Sequence, residues 1–386
     1  MIPLVKDTID QEDINDLIDW LSTYPRLTKG ELTVEYERQW ASYIGCKHAV
    51  FVNSGSSAIL LMLYSLIEMG RLKKGDQVIV PALSWATDLA PVIQLGLEPI
   101  LCDCNLQDLS VDLDHLSILA EKYDPKAIIL VSVLGLVPEM DKITDLCKTH
   151  DLILLEDVCE GLGSSYFGVN LGNWGDISCF SSYFGHHIST IEGGMLCTNN
   201  NDVYNMAKCL RSHGWDRDLD IDYQQRLRQQ YDVSDFDALY KFYHAGFNIR
   251  PTDLQANIGI SQLKKLPTVV NNRNSNYQQY LDLIQNDFWN PPRSSSEKYV
   301  SNFAFPIIHP NKLNIVQDLI THDISVRPLI CGSLSSQPFW KKHNTKYKEP
   351  LPNATTIDSL GFYVPNNHQI SELEIEQVCR IINKYM

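Results

Sequence analysis

An α/β fold is predicted for this chain: a mainly parallel sheet of seven strands covered by helices on both faces, with a smaller α+β domain at the C-terminal end. Three observations predict it. Short β-branched runs alternate with helix-periodic stretches from residue 47 to 198, the pattern of a sheet whose strands are joined by crossover helices. A long amphipathic stretch then runs from 252 to 284, which sets the remainder apart. The length of 386 residues is enough for more than one domain. The division is placed at residue 250, giving an N-terminal segment and large domain over 1–250. Interdomain helices and a small domain occupy 251–386.

The seven strands are expected at 49–52, 77–80, 98–102, 127–131, 152–156, 177–180 and 195–198. Each is a run of four or five mostly apolar residues. Apolar residues at helical spacing mark helices at 56–69, 88–94, 113–123 and 140–149. Beyond 250, a helix at 252–266 leads into the amphipathic stretch, a strand is expected at 299–306, and a closing helix at 371–385. Ligands in open α/β sheets bind beyond the carboxyl ends of the strands, so functional residues are expected in the loops that follow them.

Composition narrows the function. Hydrophobic residues make up 44% and charged residues 20%, a soluble globular balance. A formal net charge of −15 argues against nucleic acid or an anionic membrane as a partner, so a phosphate-bearing ligand has to be met by a local pocket. The longest apolar run, residues 127–137, is too short to span a bilayer. The opening Met-Ile-Pro-Leu-Val-Lys-Asp lacks the basic and apolar regions of a secretion signal. Ten scattered cysteines with no C-x-x-C spacing predict reduced thiols, a cytoplasmic location and no iron–sulfur cluster. Cys102 and Cys104 alternate along one strand and are expected to be buried.

Four segments carry chemistry. Val52-Asn-Ser-Gly-Ser-Ser-Ala58 joins a strand to a helix, and the amides of a helix N-terminus suit a phosphate. Ser56 and Ser57 are the candidate ligands there. Pro81-Ala-Leu-Ser-Trp-Ala-Thr87 offers Trp85, whose face can cover a planar ring and exclude water; the competing place for it is the core. Leu154-Leu-Glu-Asp-Val-Cys-Glu160 ends an apolar strand in carboxylates. Asp157 there can hold a proton on a heterocyclic nitrogen or cap the next helix, and Glu160 is either a site acid or a solvated helix residue. The last segment is Phe180-Ser-Ser-Tyr-Phe-Gly-His-His-Ile-Ser-Thr-Ile-Glu-Gly-Gly194.

These segments resemble the DegT/StrS family of nucleotide-sugar aminotransferases, which use pyridoxal phosphate (PLP). The resemblance extends from Arg26-Leu-Thr-Lys-Gly-Glu31 to Asn366-Asn-His-Gln369. The family pattern is roughly Ser-Phe-x-x-x-Lys, five residues, then Glu-Gly-Gly, and its Lys forms a Schiff base with PLP. Counting back six from Glu192 reaches His186, and five further back is Ser181. The frame is kept while the lysine is replaced by histidine. An imidazole forms no stable Schiff base with an aldehyde, but it can move protons.

The resemblance implies the fold-type-I aminotransferase architecture and a homodimer with shared active sites. It places Ser56, Ser57 and Ser181 on the cofactor phosphate, Trp85 on the ring, Asp157 on the pyridine nitrogen and Glu160, where the aminotransferases commonly carry Gln, near the ring hydroxyl. Ala245-Gly-Phe-Asn-Ile-Arg-Pro251 and Arg211-Ser-His-Gly-Trp-Asp-Arg217 are similar to two further family segments. Asn248 is thereby expected to reach the partner's cofactor phosphate. His213, Arg217, Arg250 and, in Ser325-Val-Arg-Pro328, Arg327 are candidates for substrate phosphates or carboxylates, with structural ion pairs as the competing role for the arginines.

With His186 in place of lysine, the chain is similar to the branch of the family that removes the C3 hydroxyl from nucleotide-linked 4-keto-6-deoxyhexoses. That branch works with pyridoxamine phosphate (PMP), regenerates it with glutamate, releases ammonia and serves 3,6-dideoxysugar (O-antigen) synthesis; the resemblance favours GDP as the nucleotide. His187 points away from its neighbour on any regular element and is not expected to be the base. No ligand spacing around the pair predicts a metal. An aminotransferase with an unusual base and a non-catalytic PLP-binding protein share the same motifs. An aminated product would mark the first, and absence of turnover the second.

Overall fold

The structure is a computed structural model that describes residues 1–343 and 346–386. After helices α1 (Gln11–Leu21) and α2 (Glu31–Ile44), strands and helices alternate. They are β1 (His48–Val52), α3 (Gly55–Glu68), β2 (Gln77–Pro81), α4 (Ala86–Gln94), β3 (Glu98–Cys102), α5 (Leu113–Tyr123), β4 (Ala127–Val131), α6 (Met140–Thr149) and β5 (Ile153–Asp157). A two-residue hairpin, β6 (Ser165–Tyr166) and β7 (Val169–Asn170), precedes β8 (Ile177–Ser181), β9 (Gly194–Thr198) and α7 (Asn201–Arg211). Each of the seven strands expected before residue 200 lies within two residues of its predicted bounds, because each is an apolar run closed by a polar or glycine-containing turn.

The central sheet has seven strands in the order β1-β9-β8-β5-β4-β2-β3. Pairings β2–β3, β2–β4, β4–β5 and β5–β8 are parallel, and only β9 runs against its neighbours. Strand β4 is buried throughout, as expected for a strand with helices on both faces. One register row matters for the site. Val52 of β1 opposes Gly194, which opposes Ser181 of β8, and Val131 of β4 opposes Asp157 of β5. The carboxyl ends of β1, β8, β5 and β4 and the start of antiparallel β9 therefore lie along one edge of the sheet.

After α8 (Ile221–Gln230), the segment expected as a helix followed by an amphipathic stretch is a single helix of 31 residues, α9 (Asp253–Leu283). Its capping box pairs Thr252 with Gln255, and Pro267 lies within it. Elements β10 (Lys298–Tyr299), β11 (Phe305–Ile308), α10 (Lys312–Thr321), β12 (Arg327–Pro328), α11 (Pro338–His343), α12 (Pro352–Leu360), β13 (Gly361–Val364) and α13 (Glu372–Ile382) follow. Strands β11, β13 and β12 form a three-stranded antiparallel sheet.

The strand expected at 299–306 is broken. Its first residues pair with the β6–β7 hairpin and its last with β13, and the loop between them is committed elsewhere. The amide of Phe303 donates to the carbonyl of Leu134 at 2.9 Å, and its own carbonyl accepts from Arg273 at 2.7 Å. A ladder cannot continue through backbone groups already bonded in this way.

Candidate active site

A cavity of about 760 Å³ opens at the carboxyl edge of the central sheet. Its floor comes from strand ends. Asp157 closes β5, is 5% exposed and accepts the amide of Cys159 at 2.8 Å. Alternation along a strand sends the preceding Glu156 to the opposite face, where it accepts the amides of Gly172, Trp174 and Gly175. Of the two adjacent acids, only Asp157 lines the cavity.

One wall is the start of α3. Ser54 caps this helix, and its hydroxyl accepts the amide of Ser57 at 3.1 Å. Ser54, Gly55 and Ser56 line the cavity, and the first amides of a helix have no intrahelical acceptor. Two glycines permit the close approach of this loop to the sheet edge. A Cβ on Gly55 would lie 2.8 Å from the Cβ of Ser181, and one on Gly194 would lie 2.2 Å from the carbonyl oxygen of Ser54. The result is a cradle of amides and hydroxyls that side chains would fill, and a small anion such as a phosphate ester fits it. Ser181 is buried at the end of β8, and its hydroxyl accepts the amide of Tyr183 at 3.3 Å.

Trp85 is 55% exposed and lines the cavity at the start of α4, so it is not a core residue. Asp88, one turn further along the chain, is fully buried. Its Oδ2 accepts from the Ser84 hydroxyl at 3.0 Å, while its Oδ1 has no hydrogen-bond partner among the described residues. Burial, and next the charge of Asp157, push the Asp88 carboxyl well above the ordinary range. Glu160 accepts the amide of Leu134 at 2.8 Å. Burial is the main cause that raises its carboxyl to about 8, with the Asp157 charge adding to it. Asp157 thus lies near two carboxyls, those of Asp88 and Glu160, that are both raised in part by its own charge.

His186 lies in the loop after β8. Its Nδ1 is 2.6 Å from the carbonyl oxygen of Cys159, which can only accept, so Nδ1 carries the proton and Nε2 has the free lone pair. Burial, the largest influence, lowers its pKa to about 4; the Cys159 carbonyl and Asp157 pull upward, and Arg273 pushes further down. The ring is therefore a neutral base at physiological pH. The ring of Phe303 packs 5.4 Å from it. His187 turns the other way. It is fully buried, its Nε2 lies 3.2 Å from the carbonyl oxygen of Ser301, and it does not line the cavity.

The cavity brings together Ser56, Trp85, Asp157, Glu160, Ser181, His186 and Arg327. Arg327 enters from β12 and donates to the carbonyl of Val326 at 2.8 Å. Ser57 does not line the cavity, because both its amide and its hydroxyl are engaged by Ser54. Asn248, His213, Arg217 and Arg250 also lie outside it. They form a second cluster: the Arg250 Nε donates to Asn248 Oδ1 at 3.0 Å, and the Arg217 guanidinium lies 4.2 Å above the Trp215 ring. The ring of His213 packs 5.1 Å from Trp215 as well.

The sequence reading missed Ser54, Asp88 and Arg273. Ser54 was legible as the helix cap one residue before Gly55. Asp88 was hidden because an acid near a helix start is ordinarily solvated. Arg273 interrupts a stripe of buried α9 residues, Leu266, Val270, Tyr277 and Tyr280, at spacings of three and four, and a charge in such a register is a signal in itself.

The DegT/DnrJ/EryC1/StrS aminotransferase family profile matches residues 7–383. The GDP-4-keto-6-deoxy-D-mannose 3-dehydratase of Yersinia pseudotuberculosis is 34% identical, over 99% of this chain and 98% of that protein. That of Escherichia coli O55:H7 is 34% identical over 95% of each. A solved GDP-4-keto-6-deoxymannose-3-dehydratase holding a trapped PLP-glutamate geminal diamine superimposes with a TM-score of 0.91. It is 32% identical, with 99% of this chain and 100% of that one covered. Family match and full-length similarity agree: this chain belongs to the DegT/DnrJ/EryC1/StrS aminotransferase family.

Proposed function

We propose that this chain is a PLP/PMP-dependent dehydratase that removes the C3 hydroxyl of GDP-4-keto-6-deoxy-D-mannose, with glutamate as amino donor, for 3,6-dideoxysugar synthesis. The single observation that carries the reading is His186, a neutral imidazole with Nε2 free, at the position where the family's aminotransferases carry lysine. The relatives named above as 3-dehydratases match over nearly their whole length.

When bound, PMP supplies an amine for the C4 ketone and an electron-withdrawing ring. The chain supplies the rest. Gly55, Ser56 and Ser181 bind the phosphate in the cradle at the start of α3, Trp85 covers the ring, and Asp157 holds a proton on its nitrogen. Glu160 keeps a protonated carboxyl beside the site at neutral pH. His186 accepts a proton at Nε2 and returns it to the departing C3 hydroxyl. A conjugate acid with a pKa near 4 gives that proton up readily. No other amine takes the missing lysine's place: among the residues lining the cavity there is no lysine.

The second cluster has its simplest account in a homodimer with shared sites. Asn248 then reaches the partner's cofactor phosphate, and Arg217, Arg250 and His213 meet the nucleotide-sugar; Arg327 serves the same substrate from within the chain. The proposal predicts that cofactor binding is non-covalent. Borohydride treatment of the protein with PLP, followed by intact-mass measurement, should show the unmodified chain. A stoichiometric adduct would overturn the assignment of His186.

A further inference from the structure

Arg273 of α9 is 2% exposed and forms no ion pair among the described residues. Its guanidinium is solvated entirely by backbone. Nη1 donates to the carbonyls of Phe303 at 2.7 Å, Asn366 at 2.8 Å and Asn302 at 3.5 Å, and Nη2 donates to the carbonyl of His186 at 3.5 Å. Nε has no partner. A buried cation without an anion is costly, and a merely structural clamp would be expected to carry a carboxylate counter-charge. Here the uncompensated charge lies directly behind the loop of the candidate base. The Phe303 ring contacts both groups, 5.8 Å from the guanidinium and 5.4 Å from the imidazole.

We propose that Arg273 is a positioning residue for the reaction: its unpaired guanidinium holds the main-chain carbonyl of His186 and keeps the imidazole aimed into the cavity. The inference rests on the reading of His186 as the base. Two effects are combined in one side chain. The planar fork joins the His186 loop to the 302–303 loop and to Asn366 near the C-terminal end, so the base is fixed against two other segments. The charge opposes protonation of the ring, and the burial-lowered pKa of His186 includes this contribution. Other charged and titratable groups act on the same ring. Asp157, Cys159, Glu160, Glu192, Arg327 and Tyr363 line the same cavity, and Tyr183 lies three residues back in the same loop, its ring 6.2 Å from the imidazole. His187 is adjacent in the chain, and His368 is close enough for Arg273 to depress it too.

The test separates charge from geometry in two variants, Arg273→Gln and Arg273→Lys. The His186 titration is followed by NMR of histidine-labelled protein without cofactor, so it does not depend on turnover. Arg273→Gln should raise the His186 midpoint, by no more than about one pH unit, because removing a like charge lets the ring keep its proton to higher pH. Arg273→Lys should leave the midpoint near the wild-type value and lower kcat roughly 10-fold, because one ammonium cannot hold four carbonyls in a plane. A His186 midpoint unmoved in Arg273→Gln, or equally displaced in both variants, would overturn the proposal. If Arg273→Gln does not fold, Arg273→Lys decides alone, and an unchanged kcat in it would refute the positioning role. Failure of the base reading shows differently: His186→Asn would then turn over normally, whatever Arg273 does to the ring.

Discussion

The cavity at the sheet edge and the Trp215–Arg217–Arg250 cluster are built on opposite plans. In the cavity, several of the polar groups are held by a strand end or a helix start. Asp157 terminates β5, Ser181 terminates β8, and Ser54 caps α3. Burial raises the carboxyls of Asp88 and Glu160, the latter to about 8, and lowers His186 to about 4, which leaves it a neutral base. In the second cluster the side chains sit on irregular segments between α7 and α9, with Arg217 and Asn248 exposed. Contacts there are of a cation over an aromatic face, the kind that suits a surface awaiting a charged ligand or a second chain. The first region gathers its groups around one cavity, whereas the second holds its cations against aromatic rings and main-chain carbonyls at the surface.

The largest expected effect breaks the first region. His186→Asn should lower the dehydration rate by ~10²–10⁴, the usual loss for a general base, while PMP affinity stays close to wild type, because the phosphate and ring contacts are untouched. Steady-state turnover and PMP titration check both halves. His187→Asn, altering a residue outside the cavity, should be milder. The reverse ranking would reassign the base.

Joining the two regions is the next test. Mixed dimers of an Asn248→Ala chain and a His186→Asn chain should recover up to about a quarter of wild-type activity, since random pairing leaves one intact site in each hybrid. No recovery after verified subunit exchange would argue that Asn248 serves its own chain or no site at all.

The smallest effect sharpens the proton inventory. With His186 lowered to about 4 and Glu160 raised to about 8, the dehydration rate should rise as pH passes upward through about 4, stay level at neutral pH, and fall above about 8. The acid limb is His186 losing its proton and becoming able to accept one. The alkaline limb is Glu160 gaining a negative charge beside Asp157. In Glu160→Gln the alkaline limb should disappear while the acid limb stays. Persistence of the alkaline limb would assign it to another group.

Much of the first region was legible in the sequence, because strand ends and helix starts follow from hydrophobic runs and small-residue loops. Ser56, Trp85, Asp157 and Glu160 were named from their segments together with the family resemblance, and the family pattern from Ser181 to Glu192 singled out one of two histidines. What escaped was set by burial. Nothing local distinguishes Asp88 from a solvated helix acid, and only its burial and the nearby Asp157 raise its carboxyl. Arg273 was visible as a charge in an apolar stripe, but its carbonyl partners come from segments 29 to 93 residues away in the chain. The break between β10 and β11 escaped for the same reason, since Leu134 and Arg273 draw on the backbone between them.

The central claim is deoxygenation at C3 by a histidine-based site, and product analysis tests it most directly. Purified protein is supplied with GDP-4-keto-6-deoxy-D-mannose, PMP and glutamate, and the nucleotide-sugar product is identified by mass spectrometry and NMR. The account predicts a 3,6-dideoxy-4-keto sugar, with ammonia and 2-oxoglutarate appearing in step with it. A product that keeps its C3 oxygen and carries an amine at C4 would contradict it and return this chain to the aminotransferases.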